Sequence, residues 1–526
     1  MPISINSPKT GFIFWTIILS CIVFTWSDVV FDSRVIPKWI AASIIAIIII
    51  IFNATSILFL KRHRLKLFSD MTNMLTAISL VISVLSIYGI IQYHTYQIHA
   101  AVTGSYDNPA GFAATLSSGP PFIMLGMCIK DKILRNLHIT AFALSSIAIL
   151  ISGSRAGMVC LALVFLLGGH KFTTKRPWLK WILVLIWLSV LTVELFVKAD
   201  SAAGRILIWT CSLKMMEGHW LFGYGPGGFK SHYMDFQADY LASHPGSPYA
   251  LLADTVQYPF NEYLNILTDY GLVGLAFVLL FIGYMVYRYF RNRTAERLAA
   301  LLGIVSVAVF ALFSYPLMYP FVWFILIYSS AVLLSDIRFH FRFSTAAKKL
   351  TACAALAGCM YFGYRLYVWT EAEIRWKQVA DKMVFEDTVI TEYERIYDTL
   401  SEDRYFLYNY SYVLYRSENY GKGYEVASEC RKLWADYDLE LLLGMLSEKL
   451  DRSTEALTHY TLASNMCPNR LRPLYLLMKL CDRSGAADKA LCYAKKLCDK
   501  PVKIPSGETA RMKREAEDYM KSRMNY

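Results

Sequence analysis

"IPKWIAASIIAIIIIIFNATSILFL", residues 36–60, is a nearly unbroken apolar run of 25 residues, and its reading decides the fold. As a helix rising 1.5 Å per residue it crosses a hydrocarbon layer of roughly 30 Å. Outward along the chain, runs of similar character fall at 11–27, 71–93, 110–128, 137–152, 155–169, 177–197, 264–288, 296–314, 317–335 and 347–369. With 526 residues, 56% hydrophobic and 15% aromatic content and a positive mean hydropathy, the chain is too apolar for an ordinary soluble enzyme. The expected fold is all-α, a polytopic transmembrane bundle of about 11–12 spans. The first run carries no basic segment beyond Lys9 and no small-residue cleavage site follows it, so it reads as a retained helix rather than a signal peptide.

The net charge of +12 raises the question of nucleic acid. Residues 371–526 hold 25 Lys/Arg against 26 Asp/Glu, so the excess lies in residues 1–370, at 28 against 15. There it alternates between connections. KRHRLK (61–66), KDKILR (130–135), HKFTTKRPWLK (170–180), RYFRNRTAER (288–297) and RFHFRFSTAAKK (338–349) hold 19 of the basic residues. The positive-inside rule makes these connections cytoplasmic and, with them, the amino terminus. The long loop 199–263 and the tail after eleven spans then fall on the outer, periplasmic side. Topology accounts for the basic clusters, which excludes nucleic acid as the expected partner.

The chain divides into a membrane region, 1–370, and a soluble helical repeat domain, 371–526. Within the tail, "STEALTHYTLASNMCPN" (453–469) aligns over "ADKALCYAKKLCDKP" (487–501) at a shift of 34 residues, and "NYGKGYEVASECRKL" (419–433) is a weaker copy. That period resembles tetratricopeptide repeats, whose arrays hold peptides or proteins or act as spacers. The end, "GETARMKREAEDYMKSRMNY", reads as a polar capping helix. Of eleven cysteines, five lie in the tail, where an outer location permits disulfides but leaves at least one thiol free. No Cys or His spacing suggests a metal site, and no cofactor is expected.

In the loop, Ile206, Trp209, Leu213 and Met216 recur at helical spacing, predicting an amphipathic helix over 205–217 with Arg205 at its positive end, where an anion is welcome. "GYGPGGF" (223–229) has the glycines for a backbone nest that cradles an anion. Arg155, in "ISGSRAGMV" (151–159), sits close to hydrocarbon and calls for a partner.

The ordered series "TGSYDNPAGFAATL" (103–116), "SGSRAG", "GRILIW…LFGYGPGGF", "FNEYLNILTDYGLVG" (260–274) and "FSYPL" (313–317) resembles the bacterial O-antigen ligase / Wzy polymerase family over roughly residues 100–320. The resemblance implies a GT-C-like, metal-independent glycosyltransferase of the inner membrane. Its donor is a glycan on undecaprenyl pyrophosphate; its acceptor is lipid A–core, another glycan or a protein. Arg155 and Arg205 match the family's two arginine positions and are assigned to the pyrophosphate. Trp209, Gly225, Gly227, Gly228, Asn261 and Tyr263 are assigned to substrate contact. Family ligases carry histidine before the asparagine of the fourth motif, where this chain has Phe260, which accepts no proton. The candidate bases are Glu262, Asp254 and a loop histidine, His219, His232 or His244. Asp269 is expected to cap or pair at the entrance of its span. Ligation to lipid A–core is the first expectation, with polymerisation or protein O-glycosylation as alternatives. A transporter of lipid-linked glycan and a structural scaffold displaying the tail are the rival classes. The tail offers a surface for a protein partner.

Overall fold

The computed structural model describes residues 8–59, 71–95, 101–168, 199–337, 344–382 and 387–524, together with Trp181, Leu185 and Thr192. The expected span at 177–197, the basic connections 61–66 and 170–180, and residues 338–343 lie outside these, the three single residues apart. Among the described residues the regular structure is helical throughout. The chain forms two compact units. The first comprises 1–197, 260–262 and 277–374; the second comprises 198–259, 263–276 and 375–526. The expected break at 370/371 is close to that at 374/375, but most of the outer loop belongs with the tail.

The first unit opens with α1 (Pro8–Phe24), α2 (Ile36–Phe59) and α3 (Met71–Thr95). It continues with α4 (Pro109–Ser118), α5 (Pro120–Gly126), α6 (Lys132–Ile151) and α7 (Arg155–Gly168). Among the described residues, four helices are long and apolar enough to cross a membrane: Ile36–Leu58, Met71–Thr95, Lys132–Ile151 and Glu262–Arg291. Shorter apolar helices lie at Gly11–Phe24, Arg155–Gly168 and Pro320–Leu334. Helix α3 is central, with Ile78, Val81, Ile82 and Leu85 in the main apolar cluster. Its polar side chains turn inward: Ser83 and Ser86 bond the carbonyls four residues back, and Ser79 meets His138 Nδ1 at 2.6 Å. Such pairing keeps polar groups satisfied where water is absent. By contrast, α2 buries little of its apolar length: Ala42, Ile45 and Ile49 rest half-buried on the core while Ile44, Ile48 and Ile57 are exposed, as in a helix with one face to lipid.

The run 110–128 is not one span. It breaks at Gly119 between α4 and α5, because Pro120 and Pro121 supply no backbone N–H to continue the ladder.

The second unit contains α8 (Ala199–Met215), α9 (Gly228–Ser243) and the head of α10 (Glu262–Arg291). Beyond them α11 (Ala295–Ala311) and α12 (Pro320–Leu334) return to the first unit, and α13 (Thr345–Ala380) leads into the tail. The tail is α14 (Asp387–Leu400), then three helix pairs: α15 (Arg404–Arg416) with α16 (Tyr420–Leu433), α17 (Tyr437–Lys449) with α18 (Ser453–Met466), and α19 (Arg472–Arg483) with α20 (Ala487–Asp499). The second helices of the pairs begin at Tyr420, Ser453 and Ala487, the spacing read from sequence. Asp403 and Asp436 cap the first helices of two pairs by accepting from backbone N–H groups, and Pro473 opens the third. Small residues let the helices close up: Gly444 faces the Tyr460 ring so tightly that a Cβ would lie 2.4 Å from it. The final helix, α21 (Gly507–Met524), packs on α20 and α19 as the expected cap. All eleven cysteines are free thiols, so no tail disulfide forms.

The tail is in contact with the loop. Helix α9 lies between α8 and α18 and also touches α16. Gln237, wholly buried on α9, donates to Asp254 O at 3.1 Å and to Met466 O at 2.8 Å, and accepts from the Tyr233 hydroxyl. Arg431 holds Asp235 and the buried Glu440, each at 2.5 Å, and His459 takes the other oxygen of Glu440 at 2.7 Å. Asn469 donates to Ala253 O at 2.6 Å. The repeat domain is thus built around the chain's own loop.

Candidate functional site

The glycine-rich turn forms a backbone crossing. Helix α10 is interrupted at Gly271, whose φ of 66° and ψ of −165° are open to glycine alone. Into this break runs the segment 220–225. Leu272 N donates to Trp220 O at 2.7 Å and Val273 N to Leu221 O at 3.2 Å. Tyr224 N and Gly225 N donate to Thr268 O and Asp269 O, both at 2.9 Å. A Cβ at Gly271 would lie 2.2 Å from Leu221 O, and one at Gly223 would lie 2.5 Å from Thr268 O. "GYGPGGF" and "TDYGLVG" are therefore one structure, and their glycines are required by two backbones in contact.

The nest expected of this turn exists, and it is filled from within. Gly227 N donates to Asp269 Oδ2 at 3.2 Å, and Phe229 N to Asp269 Oδ1 at 3.0 Å. The anion held at the start of α9 is the chain's own carboxylate. Asp269, expected to cap or pair at the entrance of its span, pairs with the turn, and the backbone N–H groups of Gly225, Gly227 and Gly228, assigned from sequence to substrate contact, are engaged within the chain. Gly225 N is used by Asp269 O, and Gly228 N by Gly225 O at 2.9 Å.

Arg205 also needs correction. Helix α8 starts at Ala199, so Arg205 stands in its second turn rather than at its positive end. The buried face is Leu207, Ile208, Cys211, Ser212 and Met215, while Ile206 and Leu213 are exposed. Half of the expected stripe holds: Met216 is buried with Leu264 and Leu267 and Trp209 packs against them, whereas Ile206 and Leu213 are exposed. Trp209 is half-buried, donating from Nε1 to Pro259 O at 2.9 Å.

In the first unit, Arg155 is the first residue of α7, following Ser154, whose hydroxyl accepts from Gly157 N. Glu262 is buried, and its Oε1 accepts from Leu317 N at 3.2 Å. The neighbouring Phe260 has a φ of 52°, a left-handed conformation rare outside glycine and asparagine, and its ring meets Tyr315 at 5.7 Å. The motifs "FNEY" and "FSYPL" are thereby joined. Asn261 lies between these two positions, while Tyr263 begins the second unit's share of α10.

Two other candidate bases are engaged elsewhere. Asp254 makes an ion pair with Arg470 of the tail at 2.6 Å. His244 caps the exposed end of α9, its ring stacked on Tyr240 and its Nδ1 at 2.8 Å from Tyr240 O. His219 and His232 pack about Tyr224, at 4.1 and 4.5 Å between ring centroids. No cluster of potential metal ligands occurs among the described residues.

The sequence reading missed a polar cluster around α4. Asn108 caps α4 through Oδ1 to Gly111 N and donates to the Tyr319 hydroxyl at 3.0 Å. A Cβ at Gly111 would lie 2.5 Å from the Tyr319 ring. Lys38, fully buried, donates to the carbonyls of Thr25, Arg34 and Ser105 and lies 5.0 Å from the Tyr106 ring centroid. Lys38 thus ties the "TGSYDNPAG" segment to α2. The signal available was a lone lysine inside an apolar run, which in lipid requires a partner.

Residues 140–279 match the family model described as O-Antigen ligase. The matched region runs from within α6 to beyond the Gly271 break and contains Arg155, Arg205, the glycine turn and Glu262. No curated protein matches the chain. Among solved structures, yeast Tom70 aligns with 78% of this chain and 96% of its own at 11% identity and a TM-score of 0.25, a likeness too slight to carry an argument.

Proposed function

We propose that this chain, whose residues 140–279 are similar to the O-antigen ligase family model, is a membrane glycosyltransferase that moves a glycan from undecaprenyl pyrophosphate to an acceptor hydroxyl, with lipid A–core as the first choice. The observation that carries this reading is the family match over the segment that holds both arginines, the glycine crossing and Glu262. Another glycan or a protein hydroxyl is the alternative acceptor. The inner membrane, with the loop and tail on its outer face, is the location that the charge alternation favours.

In the proposed step the acceptor oxygen attacks the anomeric carbon while the bond from that carbon to the pyrophosphate oxygen breaks, with inversion. The bonding pair leaves with the pyrophosphate, and the acceptor proton passes to a base. Arg155 and Arg205 stabilise the charge that develops on the leaving group, as guanidinium forks do where water is scarce. Glu262 is the base we favour, a buried carboxylate held by Leu317 N and standing two residues after Phe260, within the motif where family ligases carry their base. Phe260 accepts no proton and takes no part in that task. Asn261 and Tyr263 flank it and are the proposed sugar contacts.

The test is transfer from purified undecaprenyl-pyrophosphate-linked glycan in membranes holding the wild-type chain, Arg205→Ala or Glu262→Gln. Lipid A–core, unlabelled donor and envelope proteins are offered separately. Product that forms with wild type and vanishes with Arg205→Ala supports the reading, and the acceptor that gains mass identifies the reaction. Donor that is never consumed while carrier crosses the membrane would replace it with the transporter.

A further inference from the structure

Three consecutive large apolar residues stand open on the second unit: Trp220, Leu221 and Phe222 are 44%, 61% and 72% exposed. They precede Gly223, whose N–H closes the turn onto His219 O at 2.9 Å. Nothing in the glycosyl-transfer chemistry uses them. Left in water, such a tip is an unfavourable apolar patch, and a soluble loop would normally carry polar residues there.

The place of this tip is fixed by α10. The carbonyls of Trp220 and Leu221 accept from Leu272 N and Val273 N, immediately after the Gly271 break. Leu272 and Val273 are themselves exposed and apolar. From there α10 continues as unbroken helix to Arg291, over residues 272–291, a length of roughly 30 Å at 1.5 Å per residue. That length equals the hydrocarbon thickness of a bilayer, with Arg288 and Arg291 at the far end. The break at Gly271 therefore sits at the edge of the hydrocarbon, and two backbone hydrogen bonds hold the Trp-Leu-Phe tip level with it. A tryptophan at such a boundary followed by two fully apolar side chains is the composition of an interfacial anchor.

We infer that residues 220–222 dip into the bilayer beside the head of α10 and fasten the loop to the lipid surface. The partner is phospholipid, not a protein. Because the same turn carries Gly223 and Gly225 onto Asp269, the anchor sets the depth of the glycine crossing and of the start of α9. The inference does not rest on the proposed glycosyl transfer.

The full chain is prepared in nanodiscs of phosphatidylethanolamine and phosphatidylglycerol, with Phe222 replaced by p-benzoylphenylalanine, and is irradiated and digested for mass spectrometry. The same photoreactive residue replaces Leu280, an exposed position within α10, as the lipid-contact control, and Ile504, an exposed tail position, as the water-contact control. The expected result is a mass increase of one phospholipid on the peptides bearing positions 222 and 280, and none at 504. An unmodified or water-quenched peptide at 222 beside a lipid adduct at 280 would overturn the inference, as would a link from 222 to a polypeptide. The probe is itself large and apolar, so folding is kept, and glycosyl transfer plays no part in the readout.

Discussion

At the scale of single residues, the chain separates groups that do chemistry from groups that hold geometry. Glu262 is in the first class by proposal, and Glu262→Gln keeps its size while removing the proton acceptor. Turnover should fall by about 10²-fold or more with donor binding little changed, as measured by initial rates over a donor series. Gly271 is in the second class. Gly271→Ala drives a Cβ to 2.2 Å from a backbone carbonyl and imposes a left-handed φ on alanine. Loss of folded protein in a detergent thermal melt is expected, by about 3 kcal/mol or more. Asp436 supplies a pH test. Burial pushes its carboxyl from 3.8 up to about 6. The folded state then holds the proton more tightly than the unfolded one, so this group's contribution falls as pH rises from about 4 to 6 and is at its lowest above that. Asp436→Asn keeps an N-cap acceptor but does not titrate. Relative to wild type it should gain stability between pH 4 and pH 7, by up to roughly 2 kcal/mol, read from melting curves at both pH values.

At the scale of elements, periodicity located helices well and their working faces less well. The run 71–93 was legible as a helix, but its central position follows from what packs on all sides of Ile78 and Ile82. Helix α8 was legible over most of its length, yet its buried face was read only in part: Trp209 and Met216 pack inward, Ile206 and Leu213 are exposed, and Leu207, Ile208, Cys211, Ser212 and Met215 carry the rest of the contact. Helix α9 buries Phe229, Tyr233, Met234, Ala238 and Leu241 on one face, but its tie to the tail emerges from the partners of Asp235 and Gln237. Arg431→Ala leaves Asp235 without its ion-pair partner and the buried Glu440 with only His459. The second unit should lose about 3 kcal/mol, measured by thermal melting of the full chain. Arg431→Lys should recover part of it, since one ammonium cannot reach both carboxylates as the fork does.

At the scale of the molecule, the motifs combine in two pairs, "FNEY" with "FSYPL" and "GYGPGGF" with "TDYGLVG". The tail belongs to the unit that holds the second pair. Removing residues 387–524 should therefore expose α9, and hydrogen exchange over residues 228–243 should rise severalfold in the truncated chain. Unchanged exchange there would show that the loop folds without the repeats. The sequence by itself determined the helical class, the four described runs long and apolar enough to cross a membrane, the repeat period of the tail and the resemblance over roughly 100–320, because apolar length, 3.6-residue periodicity and motif order are local properties. Tertiary structure alone decided that Asp269 fills the glycine nest, that Asp254 is tied to Arg470 and that the repeats clasp the loop. Each of those depends on which distant donor meets which acceptor once apolar surface is buried, and no spacing along the chain encodes that meeting.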